Sequence, residues 1–337
     1  MTLAFIRPVR EEDFDAIAAL AAQAGGGMTN LPSDPTTLKA RIKFSCECYR
    51  KGATEPGGEI YTLVLEENGK AIGVAGVFAS IGLTSGFINY KINKEFYGSK
   101  ELNKRSIRRV LIPTHDFTGA AEVGSLFLSP DVRRGGFGKL LARSRYMFIA
   151  QKPEIVAEHV CAELRGWRAP DGAQPFWNAV GRRFFEMDFE EADAANAAHG
   201  NQFIEDMMPR YPVYADLMPE DARACLGKPH DSAIPAYRML IDEGFVFNDY
   251  IDVFDGGPLV DAPVKNLKTI RESRALTIAD IAETGDAKDA LLAAGAVATF
   301  RAAKAKAKLE GETIVIGAEA AAALGVKKGE KIRWAAW

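Results

Sequence analysis

The sequence predicts an α+β fold, and three observations carry that prediction. A short strand is followed by a helix near the start, two apolar runs flank an Asn-Gly pair, and a third strand leads through glycines into a long helix. At 337 residues the chain exceeds the usual size of one domain, since domains typically hold about 100–200 residues. We therefore expect more than one folding unit.

The first elements are a strand and two helices. Residues 5–9 form a short β-rich run, and residues 13–20 place apolar side chains at helical spacing behind an acidic start. The glycines at 25–27 are a stop signal for this helix. A second helix is expected over about 35–50.

A hairpin and a strand-loop-helix unit follow. The apolar runs 61–65 and 72–78 flank an Asn-Gly dipeptide at 68–69, which favours a tight two-residue turn. A further strand over 121–128 leads through a turn into a helix from 138 to about 150. Strand, glycine loop and helix thus stand in direct succession.

The later part of the chain has a different amino-acid composition. Beyond residue 190 the sequence becomes Ala- and Asp-rich and is then punctuated by prolines, and the tail holds two β-rich runs, 313–316 and 331–334, around an Ala-rich helix. We therefore predict three units, with the last a small β-containing appendage. Their boundaries are 1–190, 191–278 and 279–337.

Two segments in the middle of the chain resemble each other. Residues 175–185 and 235–245 both predict an aromatic helix, a glycine stop and the start of an aromatic strand. Self-similarity of this kind is a signature of duplication. It raises the hypothesis that the middle unit is a second copy of the first fold.

Composition excludes several classes of protein. Hydrophobic residues make up 47% and charged residues 26%, and the formal net charge is −3, so no field-driven binding to nucleic acid or an anionic membrane is expected. The four cysteines include a C-x-C pair at 46 and 48 but no C-x-x-C pair of a zinc site. We expect reduced structural thiols, no metal, no membrane segment and no signal peptide, hence a soluble cytoplasmic protein.

The segment 133–139 fits the pattern R-x-x-G-x-G between a strand and a helix. Glycines let backbone N–H groups approach an anion, and the positive end of the following helix attracts it. The alternative is a plain turn with solvated arginines; the spacing matches neither the Walker A nor the Rossmann pattern. The candidate phosphate-binding residues are Arg133, Arg134, Gly135, Gly136 and Gly138.

This loop resembles the coenzyme A loop of the GNAT acyltransferases. The resemblance implies a mixed sheet in which the strand before the loop is splayed from its neighbour, with the pantetheine arm pairing along the exposed edge. A backbone N–H near Leu126 would then stabilise the oxyanion of a tetrahedral intermediate. The alternative for Leu126 is a core strand residue.

Further segments resemble the arginine N-succinyltransferase family. They are 25–32, 99–103, 162–166, 175–177, 184–189 and 250–258, within a resemblance that spans about residues 3 to 275. The resemblance implies transfer of succinyl from succinyl-coenzyme A to the α-amine of L-arginine, with ornithine also accepted by some relatives. It implies no permanently bound cofactor, and we expect a homo- or hetero-oligomer of related subunits.

The chemistry requires a cation for the succinyl carboxylate, carboxylates for the guanidinium and a route for the amine proton. Arg165, Glu163, Asp252 and Asp255 lie in resembling segments and are candidates, the alternative being surface salt bridges. The loop 25–32 is a candidate wall of the acceptor site. Its candidate residues are Gly27, Thr29 and Asn30.

His230 is the candidate acid–base residue. An imidazole titrates near neutral pH, and His230 follows a proline and precedes a predicted helix. The corresponding histidine of the family is interpreted as the proton donor. The alternatives are a solvated or capping histidine, with the proton role passing to His115, His159 or an ordered water.

Two further functional hypotheses remain open. The first keeps the fold but transfers acetyl from acetyl-coenzyme A to an amine or amino acid. The second is a module that binds coenzyme A esters without turnover, in which the tail and the echoed segment serve subunit contacts.

Overall fold

The structure is a computed structural model that describes residues 3–25, 28, 30–199 and 202–337. In this part of the chain fifteen strands form one sheet, with helices packed against it. The strands are β1 (Phe5–Pro8), β2 (Ile60–Glu67), β3 (Lys70–Phe78), β4 (Asn89–Ser99), β5 (Lys104–Thr114), β6 (Ala121–Leu128), β7 (His159–Glu163), β8 (Val213–Tyr214), β9 (Val246–Ile251), β10 (Pro258–Pro263), β11 (Arg274–Ile281), β12 (Asp289–Ala294), β13 (Arg301–Glu310), β14 (Thr313–Ile316) and β15 (Lys331–Ala336). The α-helices are α1 (Phe14–Ala24), α2 (Pro35–Lys51), α3 (Phe137–Gln151), α4 (Pro175–Ala179), α5 (Gly181–Phe185), α6 (Phe189–His199), α7 (Gln202–Met207), α8 (Glu220–Cys225), α9 (Ile234–Glu243), α10 (Lys268–Glu272) and α11 (Ala318–Leu324).

Helices and strands are both present, as the α+β prediction requires, and the sheet is mixed, with parallel and antiparallel strand pairs. Its order is β12-β15-β11-β14-β13-β1-β2-β3-β6-β7-β10-β9-β4-β5-β8. The pairs β6–β7 and β11–β14 are parallel, and the other described strand pairs are antiparallel. The tail strand β13 pairs with β1, so the first and last parts of the chain share one sheet.

The elements near the start form for the reasons visible in the sequence. The Asp34 side chain accepts a 2.7 Å hydrogen bond from the Thr37 N–H and so caps α2. Asn68 and Gly69 have φ values of 51° and 77°, as the tight turn between β2 and β3 requires. The predicted strands and helices up to α3 are confirmed within a few residues.

Aromatic side chains join the helices to the sheet and the tail to both. The rings of Tyr61 on β2 and Phe148 on α3 lie 5.0 Å apart, and Tyr49 on α2 is 5.3 Å from Tyr61. Phe300 packs edge-on against Phe148 at 5.3 Å. These rings are buried, so the last turn of α3 is fixed from two sides.

One expectation from the sequence differs from the structure, and one large element was not predicted. Residues 181–185 form helix α5, so the prediction of a strand start at Phe184 and Phe185 is wrong, whereas the matching segment does run from α9 through Gly244 into β9. Phe185 packs instead against Trp177 at 5.3 Å, inside a helical cluster. The long hairpin of β4 and β5 was not predicted.

The division at residues 190 and 278 remains a prediction, and the sheet continues across both positions. Two simpler expectations can be compared with the structure directly. All four cysteines are free and buried. None of the described helices combines the length and the apolar character needed to cross a bilayer.

Candidate active site

A cavity of about 970 Å³ lies where β6 and β7 separate. Its wall is formed by β6, the glycine loop, the start of α3, helix α9 and the segments that follow β7 and β9. This volume is within the range of small-molecule sites. The cavity therefore joins the predicted phosphate loop to the predicted acceptor residues.

The separation of β6 from β7 creates an open strand edge. The two strands run parallel but pair only at residues 121–122 with 160–161. On its other edge β6 stays paired with β3 as far as Leu128. Residues 123–128 border the cavity, so the splayed arrangement implied by the resemblance is present.

A bulge lies in the open part of β6. The register with β3 shifts between Val74 and Gly76, so that β6 carries one extra residue there. Ser125 has a φ of 51°, and its hydroxyl donates a 2.7 Å hydrogen bond to the carbonyl of Asn30. Positive φ in a residue other than glycine is strained and is found at functional sites. Leu126 follows in this bulge and lines the cavity.

The glycine loop has the shape that an anion site needs. Gly135 and Gly136 have φ values of 62° and 84°, and Gly136 is the N-cap of the 15-residue helix α3. A Cβ at Gly136 would lie 2.8 Å from the Trp337 ring, whereas a Cβ at Gly138 would meet no atom within 4 Å. All three glycines line the cavity.

The two arginines of the loop have different surroundings. Arg134 donates two hydrogen bonds, of 3.0 and 2.8 Å, to the carboxylate of Glu67. The Arg133 Nε lies 3.4 Å from the carbonyl oxygen of Leu128. Both side chains are exposed and line the cavity, so Arg133 is the one without a carboxylate partner among the described residues.

Carboxylates gather at the far end of the cavity. Burial, followed by the charges of Asp252, Glu122 and Asp255, raises the pKa of Glu163 well above its usual range. Burial and Asp255 raise the pKa of Asp252 to about 7. Asn89 donates a 2.9 Å hydrogen bond to Glu163, which still leaves an excess of acidic groups at this end of the cavity.

Asp255 has a structural part in this cluster. Its carboxylate accepts hydrogen bonds from the Gly166 N–H at 2.6 Å and the Gly257 N–H at 2.8 Å. Glu163 and Asp252 face the cavity and keep more of their oxygens available, because Asp252 uses Oδ1 alone to accept from the N–H groups of residues 254 and 255. A cationic ligand would therefore meet Glu163 and Asp252 first.

Arg165 lines the same end of the cavity. Its Nη2 lies 3.4 Å from the carbonyl oxygen of Ala24, at the end of α1. Its Nε is buried and has no hydrogen-bond partner among the described residues. Burial and the neighbouring Arg168 lower the pKa of Arg165, yet a guanidinium stays charged at neutral pH. Arg165 can therefore accept an anionic ligand.

His230 lies beside the cavity wall and is fixed through its backbone and its ring. Its N–H donates a 2.8 Å hydrogen bond to the carbonyl of Arg165. Its Nδ1 accepts from the Ser232 N–H at 3.1 Å and lies 2.7 Å from the Ser232 hydroxyl. Since Nδ1 is an acceptor, the neutral ring carries its proton on Nε2. Burial, Arg165 and Arg168 lower the pKa of His230, which favours this neutral form.

Glu122 is a candidate that sequence reasoning missed. It is the last β6 residue paired with β7, is 4% exposed and lines the cavity. Burial raises the pKa of its carboxyl to about 7, against the opposing effects of Asn30, Arg41 and Arg145. The Asn30 side chain donates a 2.6 Å hydrogen bond to Glu122. A charged residue within an otherwise apolar strand was the available signal.

The remaining candidates are placed as follows. Asn30 lines the cavity, whereas Gly27 and Thr29 lie outside the described residues. His159 pairs with Asp261 at 2.8 Å and His115 with Glu205 at 3.7 Å, and neither histidine belongs to the described wall of the cavity.

A mixed sheet that splays over a bulged strand, followed by a glycine loop at a helix start, defines a GNAT-like acyltransferase. Two family models match the chain, arginine N-succinyltransferase beta subunit over residues 4–269 and its C-terminal domain over residues 274–336. The chain therefore belongs to the arginine N-succinyltransferase family.

Individual relatives agree with this assignment. The arginine N-succinyltransferases of Salmonella paratyphi B and Salmonella typhimurium are each 36% identical over 331 residues, covering 97% of this chain and 96% of theirs. The solved arginine/ornithine succinyltransferase subunit AI of Pseudomonas aeruginosa superposes with a TM-score of 0.90 at 30% identity, covering 100% of this chain and 99% of that chain. The protein is thus an acyltransferase rather than a module without turnover.

Proposed function

We propose that the protein transfers succinyl from succinyl-coenzyme A to the α-amine of L-arginine. One observation carries the proposal: a single cavity joins the glycine loop at 133–138 to the half-buried carboxylates Glu163 and Asp252 and the guanidinium of Arg165. An acyl donor that ends in a carboxylate and an acceptor that ends in a cation match these charges. Family membership and the name of the Pseudomonas relative support the same reaction.

The donor is assigned to the loop and the open edge of β6. The pyrophosphate of coenzyme A would bind the N–H groups of the loop at the start of α3. The pantetheine arm would follow residues 123–128 into the cavity, which brings the thioester to the bulge at Leu126. A backbone N–H placed there would stabilise the oxyanion of the tetrahedral intermediate.

The acceptor is assigned to the acidic end of the cavity. A guanidinium between Glu163 and Asp252 would offset the repulsion that raises the pKa of both carboxyls. The guanidinium of Arg165, which lines the cavity, would bind the carboxylate of the succinyl group. Asp255 would hold the turn through its two backbone partners.

The proton of the attacking ammonium and the charge of the departing thiolate are assigned to two groups whose pKa values are shifted in opposite directions. Glu122, with a pKa of about 7, would take the proton of the attacking ammonium. His230, kept neutral, would stabilise the departing thiolate through a hydrogen bond from its Nε2–H, and the thiolate would take its proton from solvent.

A coenzyme A release assay tests the proposal. Wild-type protein would be given succinyl- or acetyl-coenzyme A, each with arginine or ornithine, and Glu163→Gln would be compared with Glu158→Gln, which removes an exposed carboxylate outside the cavity. We expect succinyl transfer to exceed acetyl transfer and Glu163→Gln alone to raise the KM for the amino acid. If acetyl transfer is faster than succinyl transfer, the proposed acyl donor is acetyl-coenzyme A. If ornithine turns over faster than arginine, the proposed acceptor is ornithine.

The proposal extends to the setting of the enzyme. We infer an oligomer, supported by the word subunit in the name of the Pseudomonas relative and by exposed apolar residues on the β4–β5 hairpin. These are Phe96, Leu102 and Ile107, each more than 60% exposed. The free buried cysteines support a reducing compartment, the cytoplasm. Light scattering of the purified protein would test the oligomer.

A further inference from the structure

Cationic side chains surround the start of α3 on the side of the tail. Lys139 lies in the first turn of this helix, next to the glycine loop. Burial and the charges of Arg143, Lys268 and Lys304 all lower its pKa, and the charge of Asp242 opposes them. Positive charge is therefore in excess beside the loop.

Only part of this charge is compensated by contacts within the protein. Arg143 donates hydrogen bonds to the Thr269 hydroxyl at 3.0 Å and to the Ala336 carbonyl at 2.7 Å, which makes it a structural residue. Lys304 pairs with Asp289 at 2.9 Å. Lys139 is exposed and has no carboxylate within 4.0 Å among the described residues.

One aromatic ring of the tail, that of Trp337, contacts both lysines beside the loop. The ammonium groups of Lys139 and Lys304 lie 4.8 and 5.0 Å from the centroid of the Trp337 ring. The same ring packs so closely on Gly136 that a Cβ there would lie 2.8 Å away. Trp337 thus touches the glycine loop on one side and orders two cations next to it.

A second, smaller cavity lies at this place. It has a volume of about 320 Å³, and its lining includes Gly135 and Phe137 at the start of α3, Lys304 and Lys306 of β13, and Asp289, the partner of Lys304. Gly135 and Phe137 also line the main cavity. A ligand held on the loop can therefore reach both spaces, one on each side.

We propose that Lys139 and Lys304, ordered by Trp337, bind the 3′-phosphate of the adenosine end of coenzyme A. The site rests on the proposed function, which places the pyrophosphate on the loop and the thioester in the main cavity. The nucleoside must then leave the loop on its other side, where the lysines lie. A phosphomonoester dianion would pair with Lys139, which has no carboxylate partner among the described residues, and with Lys304, whose charge is shared with Asp289. The tail, on this view, supplies part of the donor site.

Calorimetry with coenzyme A and with dephospho-coenzyme A tests this site directly, because the two ligands differ only in the 3′-phosphate. We expect wild-type protein to bind coenzyme A about 10-fold or more tightly than dephospho-coenzyme A. Lys139→Ala and Lys304→Ala should each reduce this ratio toward one. Lys308→Ala, which removes an exposed lysine of the same strand β13, serves as the matched control and should preserve the ratio.

The outcomes separate the two proposals. Equal affinity for the two ligands in wild-type protein would overturn the phosphate site and leave coenzyme A binding intact. A ratio unchanged in both lysine variants, with thermal unfolding showing that they fold, would assign the phosphate to other residues and reject Lys139 and Lys304. Absence of binding by either ligand would reject the proposed function, and this site with it.

Discussion

The backbone N–H of His230 donates a 2.8 Å hydrogen bond to the carbonyl oxygen of Arg165. Gly166 and Pro229 form an isolated bridge beside it. Two segments far apart in the sequence are therefore joined at the acidic end of the cavity. The proposed acid–base residue and the proposed anion site are held in one fixed arrangement, so each can be tested without displacing the other.

Replacement of His230 should reduce turnover without affecting donor binding. His230→Ala is expected to lower kcat by about 10²–10⁴-fold, the range for a lost acid–base group. The affinity for succinyl-coenzyme A should stay the same, because the glycine loop is intact. His230→Gln keeps an N–H donor and should retain more activity than the alanine variant. Near wild-type kcat of His230→Ala across pH 6–9 would make this residue a structural cap.

Glu122 should govern the acidic side of the pH–rate profile. Its pKa of about 7 means that the base form dominates only above that pH, so kcat/KM should fall as the pH drops below about 7. Glu122→Gln keeps the size of the side chain and should remove this inflection while lowering kcat by about 10²–10⁴-fold. An unchanged inflection in the variant would show that another group titrates there.

Gly138 is the right position for testing the phosphate loop. Its Cβ would meet no atom within 4 Å, whereas one at Gly136 would strike Trp337. Gly138→Asp places a carboxylate near the bound pyrophosphate and should weaken binding roughly 10-fold or more, given about 1–4 kcal/mol for unit charges at about 4 Å. Gly138→Ala adds only a methyl group and is the control. Equal affinities of the two variants for coenzyme A, measured by calorimetry, would show that the pyrophosphate does not bind at this loop.

The buried carboxylates should make stability depend on pH. Asp252 has a folded pKa raised to about 7, so the folded protein holds a proton that the unfolded chain has lost, and this stabilisation disappears as pH rises from about 4 through 7. The melting temperature without ligand should therefore fall over this range. Asp252→Asn should flatten the dependence. Arginine should restore the melting temperature at pH 8 in wild type more than in the variant, and an identical slope in both proteins would contradict the argument.

Local signals in the sequence were enough to predict the glycine loop and its flanking elements. Gly135 and Gly136 show the positive φ values that glycine permits, and this requirement is visible in the residue types alone. His230, Glu163 and Arg165 came from resemblance, and the structure brings them to one end of the cavity or beside its wall.

Other features depend on contacts between distant segments. Glu122 matters because β7 leaves β6 immediately after it, and nothing near residue 122 in the sequence encodes that separation. The strand expected at Phe184 failed for a related reason: aromatic residues favour strands weakly, and here they pack on Trp177 in a helical cluster. The contact of Trp337 with Gly136 likewise joins residues that are far apart in the sequence.

The pairing of β1 with β13 has a consequence for how the chain folds. Phe5 and Ile6 pair on one side with β2 and on the other with Ala303 and Ala302. During synthesis β1 therefore keeps one edge uncovered until β13, far later in the sequence, has emerged. Contacts of such long sequence separation slow folding, and an uncovered edge invites pairing with other chains. Nascent or prematurely terminated chains are accordingly the species most prone to aggregate.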